Sequence, residues 1–235
     1  MVLRDPEVIL ARQDWAGVRA LLPDADEAVF ENLRAYARLL LGWSQGVSNL
    51  ISRHDEPRFV ERHLLESLAP ARFLRDSGAK RFLDFGSGGG LPAIPLCLLG
   101  IGESWTLVES RRNKTLFLRK VQQELGLSHL DVITDRLEDV IGTQAVEGGF
   151  DGFTSRATAT LGPTLELAAK VMRPGGHAFL WKGSGHVEEL AAILPRQHVD
   201  DTQLLIQAVH AQLTSLPARS QPAAELDPAS VGKEL

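Results

Sequence analysis

The stretch Phe82–Pro92, FLDFGSGGGLP, sets four glycines, Gly86, Gly88, Gly89 and Gly90, directly behind an apolar run. RFLDF, residues 81–85, reads as a short buried strand. LPAIPLCLLG, residues 91–100, reads as a buried helix whose prolines sit in the opening turn, where a missing N–H is tolerated. A glycine-rich link between strand and helix means that the backbone turns tightly or approaches something closely. Four glycines within five residues exceed what a plain turn needs. The loop is read as the wall of a ligand site.

Outward from this loop the same rhythm repeats. WTLVES (105–110) is a second strand, and RRNKTLFLRKVQQELGL (111–127) an amphipathic helix with Leu116, Val121 and Leu125 as its apolar positions. LDVIT (130–134) and FDGFTSRA (150–157) are further strands. PTLELAAKVMRPGG (163–176) is a helix closed by a Pro-Gly-Gly turn, HAFLWKG (177–183) a fifth strand, and HVEELAAIL (186–194) another helix. Strand alternating with helix over short links predicts a doubly wound, mostly parallel sheet covered on both faces, with right-handed crossovers. DDTQLLIQAVHAQL (200–213) is placed as a last strand despite its helix propensity. PARSQPAAELDPASVGKEL (217–235) lacks large apolar residues and is expected to be disordered. The division is therefore 1–79, 80–216 and 217–235.

Residues 1–79 read as a helical extension. DEAVFENLRAYARLLLGWSQ places Val29, Leu33, Tyr36, Leu40 and Trp43 at steps of three and four, with Asp26 as N-cap and Gly42 and Gly46 toward the weakening end. PRFVERHLLESLAPARFLRDSG repeats the stripe through Phe59, His63, Leu64, Leu68 and Phe73, with Pro70 as a point of kinking.

A chain of 235 residues buries roughly 70% of its unfolded surface and needs no disulfide. The single cysteine, Cys97, is read as a buried structural thiol. The first residues are charged, without the apolar core of a signal peptide, and no stretch approaches about 18 uninterrupted apolar residues. A cytoplasmic protein without membrane spans is expected. The formal net charge of −5 argues against charge-driven, nonspecific nucleic-acid binding. Two local basic patches stand out against it: Arg53, His54, Arg58, Arg62 and His63, and Arg111, Arg112, Lys114, Arg119 and Lys120. The histidines show no metal-ligand spacing, so no metal is expected.

Three ligands compete for the glycine loop. A phosphate-binding P-loop requires Gly-Lys-Ser/Thr, and no Lys-Ser or Lys-Thr pair follows the glycines. A dinucleotide stays open, because Gly88, Gly90 and Ala93 satisfy GxGxxG/A and Glu109 follows at about 20 residues to take ribose hydroxyls. S-adenosylmethionine is favoured. Asp84 with Gly86, Gly88 and Gly90 makes DxGxGxG, and a carboxylate there suits a sulfonium and an ammonium but repels a pyrophosphate. Pro92 also removes a donor from the helix end that a dinucleotide uses. Arg136, Leu137 and Glu138, after the third strand, fall where an adenine would lie.

These motifs, with LLGWSQGVSNLISRHDEPRFVERHLLESL (40–68), SRA and WKG, resemble one family at matching spacings over about residues 33–190. It is the bacterial 16S ribosomal RNA guanine-N7 methyltransferase, also called glucose-inhibited division protein B. The resemblance implies a Rossmann-like class I S-adenosylmethionine-dependent methyltransferase with small-subunit rRNA as partner. It places Gly86, Ser87, Gly88, Gly90 and Leu91 along the methionine part of the cofactor, supported by Asp84. Glu109 would hold the ribose and Arg136, Leu137 and Glu138 the adenine. Arg156 would lie near the cofactor carboxylate and the incoming nucleotide, and Lys182 would reach RNA. Asn49, Arg62, His63 and Ser67 match the segment over the site. Ser44, Ile51, Glu66 and Ala93 depart from the family pattern, as does the acidic, Pro-rich end.

The implied chemistry needs little. Guanine N7 carries an in-plane lone pair and no proton, so no general base is required and alignment dominates. Arg156 and Lys182, as cations, suit positioning rather than stabilising new positive charge. A monomer is expected. A small-molecule methyltransferase, an NAD-dependent oxidoreductase and a silent ribosome-binding module are the alternatives.

Overall fold

The computed structural model describes residues 5–146, 149–156, 159–183 and 189. The helix expected at 186–194, the strand at 200–213 and the tail at 217–235 lie, apart from Glu189, outside the described residues. Strands β1 (Arg81–Phe85), β2 (Ser104–Val108), β3 (Leu130–Ile133), β4 (Phe150–Arg156) and β5 (Met172–Trp181) form one parallel sheet in the order β3-β2-β1-β4-β5. Strand order reverses between β1 and β4, so the carboxyl ends of these two strands open the crevice in which such sheets bind ligands.

Before the sheet come α1 (Pro6–Ala11), α2 (Ala16–Leu21) and α3 (Glu27–Gly46). They are followed by a 3-10 turn (Glu56–Arg58), a π-helical turn (Val60–Leu65), α4 (Glu66–Leu68) and α5 (Ala71–Asp76). Between the strands run α6 (Ala93–Leu98), α7 (Arg112–Glu124), α8 (Leu137–Val140) and α9 (Leu161–Val171). Successive residues of β1 point to opposite faces. Phe82 packs with the helical extension, α6 and α7, and Leu83 packs with α8 and α9. Each such fully buried side chain contributes about 1.5–3 kcal/mol. Phe82 stacks on Trp105 with ring centroids 4.5 Å apart. On the β4 side of that ring, a Cβ on Gly152 would overlap Phe82, so glycine is required there.

Three expectations are corrected and a fourth is met in position only. The second helix expected in the extension is broken into 3-10, π and α turns, with Phe59, Val60, Leu64, Ser67 and Leu68 buried along them. On α7 it is Thr115, Phe117, Leu118 and Val121 that are buried, whereas Leu116 is exposed and Leu125 lies just past the helix end. Thr115 can be buried because its hydroxyl bonds Thr134 and the Arg112 carbonyl. The strand expected at 177–183 starts at Met172: Met172 pairs with Phe150 and His177 with Gly152, so the Pro-Gly-Gly turn is an irregularity inside β5. Asp26 occupies the N-cap position of α3 but its side chain makes no capping bond there.

Candidate active site

The loop after β1 turns back over β2. The N–H groups of Gly86 and Ser87 both donate to the Val108 carbonyl, at 2.9 and 3.2 Å. Gly86, Gly88 and Gly90 hold φ of 69°, 56° and 82°, which only glycine adopts without strain. Gly90 N–H donates to the Ser87 carbonyl at 2.6 Å, and a Cβ on Gly90 would overlap Ile94 of α6. Leu91 follows, joined to Pro92 by a cis peptide bond. From behind, Leu40 and Leu50 of the extension press on Gly89.

Glu109 follows β2 and is 6% exposed. One of its oxygens accepts from Gly88 N–H at 3.0 Å and the other from Arg111 N–H at 2.8 Å, with Lys114 Nζ at 3.9 Å. The carboxylate thus faces the glycine loop, within reach of anything laid along it. Asp84 lies below. It is 1% exposed, Thr154 donates to its Oδ1 at 2.6 Å, and its Oδ2 is buried without a hydrogen-bond partner. Burial pushes its carboxyl up to about 7, against the Thr154 bond and the nearby Ser87 hydroxyl, which itself donates to the Asp84 main-chain carbonyl; the charge of Glu109 adds to the rise.

A cleft of about 180 Å³ opens beside these groups, between the ends of β1, β2 and β3. Phe85, Gly86, Val108, Glu109, Ser110, Asp135, Arg136, Leu137 and Glu138 line it. Of the residues picked from the sequence, Gly86, Glu109, Arg136, Leu137 and Glu138 meet here. Ser87, Gly88, Gly90 and Asp84 build the loop beside it. Phe85, Val108, Ser110 and Asp135 were not among the site residues picked; all four are strand-end or strand-adjacent positions, which the fold rule marks but the residue types do not.

Arg156 and Lys182 lie on the other half of the carboxyl edge, outside this cleft. The Arg156 guanidinium donates to Glu66 at 2.6 Å and to the Arg62 carbonyl at 2.8 Å, with Ser67 Oγ at 3.4 Å. Burial lowers its pKa, and the charge of Glu66 works against that. Lys182 Nζ donates to the Ala159 carbonyl and pairs with Glu189, both at 2.8 Å. Glu189 in turn accepts from the first N–H of α9, that of Leu161. Trp181 Nε1–H donates to the Glu66 carbonyl at 2.7 Å. The π-helical turn is thereby tied over the ends of β4 and β5.

The donor set fits S-adenosylmethionine. Two carboxylates, one with an unpartnered buried oxygen, suit a ligand bearing cations and vicinal hydroxyls, and they disfavour a pyrophosphate. Of the apolar residues along the cleft, Phe85 is partly exposed, whereas the side chains of Val108 and Leu137 are buried in the core beneath it.

The family model described as rRNA small subunit methyltransferase G matches residues 29–215. The chain belongs to that family. It is an S-adenosylmethionine-dependent rRNA methyltransferase, and the family reaction is guanine-N7 methylation of 16S rRNA. Among curated relatives, the ribosomal RNA small subunit methyltransferase G of Chromobacterium violaceum is 38% identical over 180 residues, covering 77% of this chain and 82% of that one. The protein of the same name from Pseudomonas syringae pv. tomato is 35% identical over 198 residues, covering 83% and 89%. The solved O-methyltransferase TomG from Streptomyces achromogenes, in complex with SAM, is a looser likeness, at 19% identity over 81% of this chain and 80% of that chain, TM-score 0.47. In this member of the rRNA small subunit methyltransferase G family, the match begins inside α3 and takes in the whole sheet.

Proposed function

We propose that the cleft at the ends of β1, β2 and β3 seats S-adenosylmethionine, and that the guanine of 16S rRNA enters from the β4–β5 side of the same edge. The observation that carries this reading is the pair of buried carboxylates at the glycine loop: Glu109, bonded to Gly88 N–H, and Asp84, with Oδ2 unpartnered. Glu109 takes the ribose hydroxyls, Gly86, Ser87, Gly88, Gly90 and Leu91 border the methionine part, and Asp84 faces its positive charge. Arg136, Leu137 and Glu138 flank the adenine.

The bound cofactor supplies an electrophilic methyl group. N7 needs no deprotonation, so the chain's work is alignment and exclusion of water. Arg156 and Lys182 are positioning groups on the substrate side, pre-oriented by Glu66 and Glu189. The target guanine must be unstacked, because the RNA major groove is too narrow for this approach. Exposed Arg111 and Arg112 next to Glu109 meet the phosphates. The enzyme acts as a monomer in the cytoplasm, where its rRNA substrate is assembled; no described helix is long and apolar enough to cross a membrane. Residues 1–79 serve as the rRNA-facing extension and 80–216 as the methyl-transfer domain.

Calorimetric titration with S-adenosylmethionine tests the site. Glu109→Ala removes two charge-assisted bonds worth roughly 1.5–3 kcal/mol each, so affinity drops about 100-fold or more. Lys182→Ala leaves cofactor affinity within about twofold of wild type and lowers methyl transfer. Unchanged affinity in Glu109→Ala would remove the cofactor from this cleft.

A further inference from the structure

Tyr36 lies in the middle of α3, fully buried, and its hydroxyl donates to the carbonyl of Gly89 at 2.7 Å. The neighbours of Tyr36 on the same stripe, Leu33 and Leu40, are aliphatic and also fully buried. A phenol brings a polar atom into that stripe, and that atom needs a partner. The partner it has is the centre of the glycine loop, 53 residues away in the chain.

The loop's own bonds make that carbonyl matter. Gly88 N–H is held by Glu109, and Gly90 N–H by the Ser87 carbonyl. Gly89 stands between them, without a side chain to fix its orientation. Leu40, one turn after Tyr36 on α3, approaches the same residue from below: a Cβ on Gly89 would lie 3.1 Å from Leu40 Cδ1. Besides burial, which raises its pKa well above the ordinary value, the Tyr36 hydroxyl feels Arg156 and Asp84, in opposite senses. By its bond to Gly89, the phenol sits under the loop that follows β1.

We propose that Tyr36 is a positioning residue for the methyl-donor site: its hydroxyl holds the Gly89 carbonyl and so presents Gly88 and Glu109 in the arrangement that receives the cofactor. This rests on the cleft being the S-adenosylmethionine site. Tyr36 touches neither cofactor nor substrate. It acts through the loop, and its effect falls on cofactor binding rather than on the transfer step. It also makes the helical extension part of the cofactor site, since the loop's rear support is α3.

The test is steady-state methyl transfer to small-subunit particles by the full chain, with thermal unfolding measured in parallel. Tyr36→Phe keeps the ring and removes one hydroxyl. KM for S-adenosylmethionine rises roughly three- to tenfold, while kcat and KM for the particles stay within about twofold. Leu40→Val, which trims the second support, moves the same constant in the same direction. Val171→Ala, in the core on the opposite face of the sheet, lowers the unfolding temperature and leaves KM for the cofactor unchanged. A Tyr36→Phe protein that fails to fold, or whose KM shifts no more than that of Val171→Ala, overturns the proposal and makes the bond one of stability alone. A wild-type chain that neither binds nor uses S-adenosylmethionine overturns the site assignment instead.

Discussion

Arg156 at the end of β4 and Glu66 of α4 form an ion pair at 2.6 Å, 90 residues apart in the chain, with side chains only 16% and 19% exposed. Arg62 adds a second cation at 3.3 Å, and the Arg156 guanidinium also holds the Arg62 carbonyl. This pair fastens the π-helical turn over the β4 end, the side on which we propose that the guanine enters.

Breaking it is costly because one partner is left half-desolvated. Arg156→Ala lowers the free energy of unfolding by about 3 kcal/mol in urea titrations. The Arg156→Ala, Glu66→Gln double variant loses less than the sum of the singles, with a coupling of at least about 1 kcal/mol. Additive losses would show that the pair is energetically idle.

Asp84 and His63 give opposing pH dependences in the unliganded protein. Asp84 is raised by burial from 3.8 to about 7, so between those values the native state keeps a proton that the unfolded chain has lost. Its contribution to stability falls as pH rises through that window. His63 is lowered from 6.5 to about 4, by burial first and the charge of Arg156 second, with Asp55 opposing. Its contribution is present above 6.5 and is lost as pH falls toward 4. Each slope is bounded by about 1.4 kcal/mol per pH unit. Asp84→Asn makes stability rise more steeply with pH than in wild type, and His63→Gln makes it rise less or fall. Superimposable pH profiles for Asp84→Asn and wild type would contradict the buried carboxyl.

The same carboxyl predicts proton release on cofactor binding. A cationic ligand favours ionised Asp84, so affinity for S-adenosylmethionine grows with pH up to about 7 and then levels. Calorimetry in two buffers of different ionisation enthalpy reads the released proton directly. Asp84→Asn abolishes the release and weakens binding.

Gly152 and Gly90 are required for different reasons, which stability and binding separate. Gly152→Ala drives a methyl into Phe82 in the sheet, and costs about 1–3 kcal/mol of stability. Gly90→Ala adds a methyl against Ile94 at φ of 82°, and its effect includes loss of cofactor affinity, because the distortion falls in the loop. Equal cofactor affinity in both variants would contradict the loop's role.

Much of this was legible in the chain. The five strands follow from apolar runs such as RFLDF bounded by glycines, and Glu109 from its spacing to the loop. What was hidden depends on partners remote in sequence. Thr115 is buried where Leu116 was expected because Thr134 satisfies its hydroxyl. The π-helical turn adds a residue to the repeat, and no residue type announces that. Arg156 and Lys182 read as positioning cations, and nothing local shows that Glu66 and Glu189 are the groups that hold them. Tyr36 read as one more member of an apolar stripe; its bond to Gly89 appears only when α3 packs behind the loop.

The most direct measurement is transfer of labelled methyl from S-adenosylmethionine to small-subunit particles lacking the modification, with product nucleosides identified by mass and Glu109→Ala as control. Label recovered as N7-methylguanosine in 16S rRNA, and lost in the control, is the predicted result. Cofactor binding without label in rRNA, or label in any other nucleoside, would contradict the account.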